Sequence, residues 1–119
     1  MANIEHVQIV KLGRDAVAKW REEHPGENPD LVNCFMSHAR IPMVDLHNCD
    51  MRDSDFMGAM LRRANLSGCY LNPAHMYRSD LREADLSRSL LNGANLRGAN
   101  LAGANLEQAN LDAAILSGA

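Results

Sequence analysis

The sequence is short of aromatic residues: one Trp, two Tyr and two Phe make up 4% of 119 residues, although 46% of the chain is apolar. A core built on large rings is excluded, and buried area has to come from Leu, Ala and Met. No run of 18 apolar residues occurs, which excludes a membrane-crossing helix. The stretch Met1–Leu12 mixes Glu5, His6 and Gln8 with its apolar residues and does not read as a signal-peptide core. Neither charge sign dominates. Twelve Lys and Arg stand against 15 Asp and Glu, a net −3. That is too balanced for a basic nucleic-acid binder and too mild for an acidic tail. The three cysteines are odd in number, which argues against a disulfide framework and for a reducing, cytoplasmic compartment. The length allows one domain or one short repeat array.

What is present is a period of five. From Pro29 the chain divides into blocks that become nearly identical toward the end, where ANLRG, ANLAG, ANLEQ and ANLDA run from Ala94 to Ala113. The middle residue of every block, its centre, is Leu, Met, Ile or Phe, from Leu31, Met36 and Ile41 through Phe56 to Leu111 and Leu116. The residue two before the centre is small: Ala in ten blocks, Cys34, Cys49 and Cys69, Ser54, Ser79 and Ser89, with Val44 and Pro29 completing the set. Residues two apart in extended backbone point the same way, so each block turns one large and one small side chain inward. The other three point outward. Gly58, Gly68, Gly93, Gly98, Gly103 and Gly118 all fall two residues after a centre, where a bend with φ > 0 is needed. A helix would smear a five-residue period around its surface, and a flat strand would flip alternate blocks. A bend every five residues removes both conflicts.

The A-(N/D)-L-x-x pattern resembles the pentapeptide repeat family, over Pro29 to Gly118. The resemblance implies an all-β solenoid, a right-handed quadrilateral β-helix in which four blocks make one square coil. Eighteen blocks then make about 4.5 coils, a rod of ~22 Å at ~4.8 Å per coil. Residues 20 apart stack in columns: Leu31, Met51, Leu71, Leu91 and Leu111 on the first side, and Met36, Phe56, Met76, Leu96 and Leu116 on the second. Ile41, Leu61, Leu81 and Leu101 stack on the third, and Leu46, Leu66, Leu86 and Leu106 on the fourth. Pro42 and Pro73 fall at corners, where a missing amide matters least. Residues 1–28 do not repeat. Ile4, Val7, Val10, Ala16, Val17 and Trp20 suggest helix broken near Gly13 and ended by His24-Pro25-Gly26. The stretch VKLGRDAVAKWREEHPGENPDL resembles the lead-in of cyanobacterial members and implies a helical cap over an open coil end, with Trp20 against the first coil. The two-part organisation is therefore a 1–28 cap and a 29–119 β-helix.

Candidate chemistry is thin. Cys34 with His38, and His47 with Cys49, have spacings that suit zinc on a loop, but each Cys points inward and each His outward. No metal and no cofactor is expected. Cys49 and Cys69 stack 20 apart, slightly beyond good disulfide geometry, so all three cysteines are expected as buried thiols. Asp45, Asp50, Asp53 and Asp55 lack the glycine and terminal Glu of a calcium loop. No phosphate-binding loop or nucleophile elbow appears, and flat faces offer no cleft, so no enzyme activity is expected.

Outward charge divides by side: net −3 on the first, +1 on the second, +2 on the third and −2 on the fourth. One outward cluster stands out. Tyr70, Pro73, His75 and Tyr77 gather around the corner between the first and second sides, with Leu90 above Tyr70 and Met57 beneath Tyr77. These six are the candidate contact surface for an unidentified protein partner. Phe35 also points outward from the second side, where the amino-terminal cap can cover it. The last coil, with Leu111, Ile115 and Leu116, carries no capping helix, so that either the rod pairs weakly end to end there as a homodimer or the sequence is cut from a longer array. The resemblance implies a non-enzymatic protein-binding or scaffold module of unknown specific role, with no direct nucleic-acid binding and no membrane contact. Its alternative is a DNA-mimic inhibitor or protector of DNA gyrase, as some family members are, for which −3 and 4.5 coils are slight.

Overall fold

The computed structural model describes residues 2–119. Two short helices precede the repeats: α1, Ile4–Leu12, and α2, Arg14–Glu23. Asn3 caps α1, its side-chain oxygen accepting from the amides of Glu5 and His6. Gly13 separates the helices at φ 100°, a value that ends one helix and starts the next at an angle. None of the described helices is long and apolar enough to cross a membrane.

The remainder winds as a right-handed quadrilateral β-helix. Every bridge is parallel and joins residues 20 apart, from Phe35 with Asp55 to Asn95 with Ile115, which fixes four blocks per coil. The bridging residue is the one before each centre. Its amide donates to the coil below, as Asp55 does to the Cys34 carbonyl at 2.9 Å. The centre's amide donates to the coil above, as Phe56 does to His75 at 2.7 Å, and so does the corner amide two residues later, as Gly58 does to Tyr77 at 2.9 Å. Every corner but those at Pro42 and Pro73 closes with a turn in which the centre's carbonyl accepts from the amide three residues on, as from Ala59 to Phe56. A turn with φ > 0 at its third residue is type II. Eleven corners take that conformation with residues other than glycine and six with glycine, leaving only Pro73 outside it. Glycine has a further reason at Gly58, where a Cβ would meet Nδ1 of His38 at 2.6 Å.

Inside, the centres from Leu31 to Leu96 are buried, and the small residues opposite them are buried or nearly so. Where serine replaces alanine, its hydroxyl is satisfied: Ser79 and Ser89 donate to the carbonyls of Met76 and Leu86 at 2.8 and 2.6 Å, and Ser54 donates to that of Met51. The columns thus form one nearest-neighbour core. The cap joins it through Val10 and Val17, both fully buried. Trp20 does a different job from the one its position suggests. It stays outside the core cluster and packs between His6, edge-on at 4.9 Å, and His24, stacked at 4.4 Å. Two side chains then tie the cap to the coils. His6 accepts from the amide of Asp30 at 2.9 Å. Arg21 donates to the carbonyls of Asp45 and His47 at 2.9 and 3.0 Å and to Asn28 at 2.9 Å.

Proline acts on two different rungs. The corners at Pro42 and Pro73 both lack the closing turn bond. Pro42 stands where other blocks keep an outward amide, so little is lost. Pro73 stands at the position whose amide would otherwise reach the coil above, so it interrupts the ladder toward Asn92, and its position is costlier than a neutral corner. Its peptide bond to Asn72 is cis.

Candidate functional site

The Asn or Asp before the centre has a local task. In eleven blocks its side-chain oxygen accepts from the amide two residues on, at distances from 2.9 Å at Asp55 and Asp85 to 3.4 Å at Asp30. This Asx bond satisfies an outward amide that the coil ladder does not use. Seven blocks put something else there: Phe35, Arg40, Met60, Tyr70, His75, Leu90 and Ile115. At Arg40 nothing is lost, because the residue two on is Pro42. At the other six the amide has no Asx acceptor, and a side chain with no role in the turn stands on the surface.

Tyr70, Leu90 and His75, three of the six residues singled out from the sequence, are among those exceptions. Tyr70 is 46% exposed and pairs directly beneath Leu90, which is half-buried. His75 and Pro73 are exposed. Met57 is 37% exposed in the coil beneath Tyr77. Tyr77 is half-buried, with the Arg78 guanidinium 5.0 Å from its ring centre. Local bonding is thinnest at this corner: the amide of Asn72 has no Asx acceptor, Pro73 interrupts the ladder, and Oδ1 of Asn72 is buried without a hydrogen-bond partner.

Phe35 differs from its expected place under the cap. It is 73% exposed, and α1 borders the ring without covering it. With Ile4, itself 72% exposed, it borders a groove of about 310 Å³ that also includes Val7 and Lys11. At the far end Ile115 and Leu116 are exposed, and Leu111 is half-buried.

Charges pair locally rather than by side. Arg52 holds Asp50 at 2.6 Å, Arg82 holds Asp80 at 2.7 Å, and Arg62 and Arg63 share Glu83 at 3.1 and 2.7 Å. The side-chain hydrogen bonds from these arginines hold the three carboxyls below their usual range. Among the described residues of the repeats Arg40, Arg78, Arg88 and Arg97 have no ion-pair partner, Arg78 and Arg97 both on the second side.

The cysteines are inward, as expected. Burial pushes the Cys34 and Cys49 thiols up to about 12, and pushes Cys69 up as well. His38 is exposed, on the opposite side of the backbone from Cys34. Sequence reasoning missed one feature entirely: a groove of about 530 Å³ between α2 and the fourth side, lined by Arg21, Glu22, His24, Asp45 and His47. In it Nδ1 of His47 lies 2.6 Å from Oδ1 of Asp45. The neighbouring Cys49 thiol, pushed up by burial, stays protonated beside it. No signal in the sequence links Arg21 to residues 24–28 positions away.

A family model described as pentapeptide repeats matches residues 44–76 and 79–118, in eight copies. No curated protein matches the chain. Among solved structures, the chain is similar to the pentapeptide repeat protein Rfr23 from the cyanobacterium Cyanothece 51142, with 28% identity over 77% of this chain and a TM-score of 0.39. It is also similar to HetL, a pentapeptide repeat protein involved in heterocyst differentiation regulation from Nostoc sp. strain PCC 7120, with 30% identity over 76% of this chain and a TM-score of 0.42. A third is QnrB1, a plasmid-mediated fluoroquinolone resistance protein, with 24% identity over 82% of this chain and a TM-score of 0.49. The chain spans 63%, 46% and 49% of those three proteins.

Proposed function

Because the chain belongs to the pentapeptide repeat family, we propose that it is a non-enzymatic protein-binding module whose contact surface is the corner formed by Tyr70, Pro73, His75 and Tyr77, with Leu90 and Met57. One observation carries this reading. At Tyr70, Leu90 and His75, on adjacent columns, the chain forgoes a self-satisfying Asx bond and places a large side chain outward instead. A net hydrogen bond contributes about 1 kcal/mol, and folding alone gives no reason to surrender it three times in one place. Tyrosine is also a residue type on which interface energy concentrates. In a pull-down with the full chain as bait, Tyr70→Ala combined with Tyr77→Ala is expected to lose the partner that the unaltered chain retains. Unchanged capture overturns the assignment.

The three cysteines are free thiols that form no disulfide, which is the usage that supports a reducing cytoplasmic setting. Exposed Ile115 and Leu116 support weak end-to-end pairing, with Leu111 at its edge. Concentration-dependent light scattering tests it, and a strict monomer at millimolar protein counts against it. A DNA-like acidic surface offered to gyrase is the weaker reading, because on the acidic first and fourth sides Asp50 is paired with Arg52 and Asp45 with Arg21 and His47. Inhibition of supercoiling at micromolar protein would reverse that order.

A further inference from the structure

We propose that the second side is a docking face for an acidic amphipathic helix of a partner protein, whose carboxylates bond the amides of Ser37 and Tyr77. The proposal rests on the reading of the chain as a protein-binding module and gives the partner its chemistry.

The second side alternates. Asp55 and Asn95 turn their side-chain oxygens onto the amides of Met57 and Arg97, at 2.9 and 3.1 Å. Phe35 and His75, in the coils between, make no such bond, so the amides of Ser37 and Tyr77 have no acceptor among the described residues. These amides point the way the Asx-bonded ones do, outward from the rod. The chain itself shows what fits them, because a carboxylate oxygen fills the same place in blocks such as those of Asp45, Asp80 and Asp85.

The charge around these amides favours an acid. Arg78 and Arg97 have no ion-pair partner, and Lys11 lines the groove at the start of the side. The side's one carboxylate, Asp55, is turned onto its own backbone. The third side differs: Arg62, Arg63 and Arg82 are already engaged by Glu83 and Asp80. Of the four arginines on the repeats without an ion-pair partner, two lie on the second side and one each, Arg40 and Arg88, on the third and fourth; of the six amides without an Asx acceptor, three, those of Ser37, Tyr77 and Ser117, lie on the second side as well.

Spacing selects the helix. Ser37 and Tyr77 are two coils apart, roughly 9.6 Å at ~4.8 Å per coil. Residues i and i+7 of a helix lie on one face about 10.5 Å apart. An extended strand reaches about 10 Å in three residues, which turns the second side chain to the opposite face. Apolar residues at i+3 and i+4 of the docked helix then fall over Met57, and one at its end fills the groove beside Phe35 and Ile4.

The probe is a synthetic 18-residue amphipathic helix with Glu at i and i+7 and Leu between them, titrated into the ¹⁵N-labelled full chain. Matched peptides carry Gln or Lys in place of Glu. The Glu peptide is expected to shift the amide signals of Ser37 and Tyr77, and to bind about tenfold more tightly than the Gln peptide, the size of one charge-assisted hydrogen bond. Phe35→Asn and His75→Asn supply the chain's own acceptor, and each is expected to weaken the Glu peptide about tenfold while leaving the fold intact. Equal binding of the Lys peptide overturns the proposal. So do shifts confined to the fourth side, absence of shifts at millimolar peptide, and a Phe35-dependent dimer in sedimentation equilibrium. If the peptide fails while the Tyr70, Tyr77 double variant still loses its partner, the module reading stands and the acidic helix falls.

Discussion

Along the fourth side, Asp45, Asn65, Asp85 and Asn105 each turn a side-chain oxygen onto the amide two residues on, at 3.2, 3.1, 2.9 and 3.0 Å. Around the corner of the first and second sides, Tyr70, His75 and Leu90 occupy the equivalent positions and make no such bond. Beneath both surfaces lies the same packing, with Leu46, Leu66 and Leu86 on one side and Leu71, Met76 and Leu91 on the other, all buried. The ladder and the inward pair hold each block in place. The residue before the centre contributes a local bond that the chain can give up singly, and at this corner it does so for Tyr70, His75 and Leu90. The fourth side has a structural task of its own, because Arg21 of the cap bonds to it.

The largest effect should be one the two regions share. Leu66→Ala and Leu71→Ala are each expected to lower unfolding free energy by about 2–5 kcal/mol, and by similar amounts, in urea titration. A gap of several kcal/mol between them would break the equivalence of the two cores. Next comes the anchor. Arg21→Ala is expected to cost about 2–3 kcal/mol, since it removes a half-buried charged donor and strands two carbonyls. Hydrogen exchange should speed up in α1 and α2 with the first–second corner unaffected.

Opposite signs are expected from the surface exchanges. Asn65→Ala should cost about 1 kcal/mol, while Tyr70→Asn should gain up to about 1 kcal/mol and abolish partner capture. A destabilising Tyr70→Asn would mean that the ring has a structural role after all. The smallest effect is a pH dependence at Asp45. Burial works to raise its carboxyl, but hydrogen bonds from the His47 ring and amide, with the Arg21 charge, outweigh it and hold the carboxyl below its usual value. A depressed folded value means that this contribution is complete above about pH 4 and fades as pH falls further. Asp45→Asn should flatten that limb of the stability profile.

The five-residue period, the inward pairs and the 20-residue register were legible because each repeats, and repetition turns a weak preference into a pattern. The six corner glycines were legible for the same reason. The eleven corners that take positive φ without glycine were not, since Arg63, Glu83 and Gln108 carry no mark of it; the turn closure and the coil above impose the conformation. The exposure of Tyr70 and His75 followed from the frame. Phe35 did not follow, because the path of α1 over the first coil depends on contacts far apart in sequence. Nothing in the sequence marks Arg21 among the polar residues of its helix, and only its carbonyl partners distinguish it.

The coil ladder also makes the rod electrically polar. In each block two amides, those of the centre and the corner, point toward the later coil, while one, that of the bridging residue, points back. One peptide dipole of about 3.5 D per block is left uncompensated. Stacked through the columns, these add in one sense, with amide-positive potential toward the later coils and carbonyl-negative potential toward the cap. That polarity is opposite to an α-helix's, whose positive end comes first, and it runs the length of the rod whatever side chains the four faces carry.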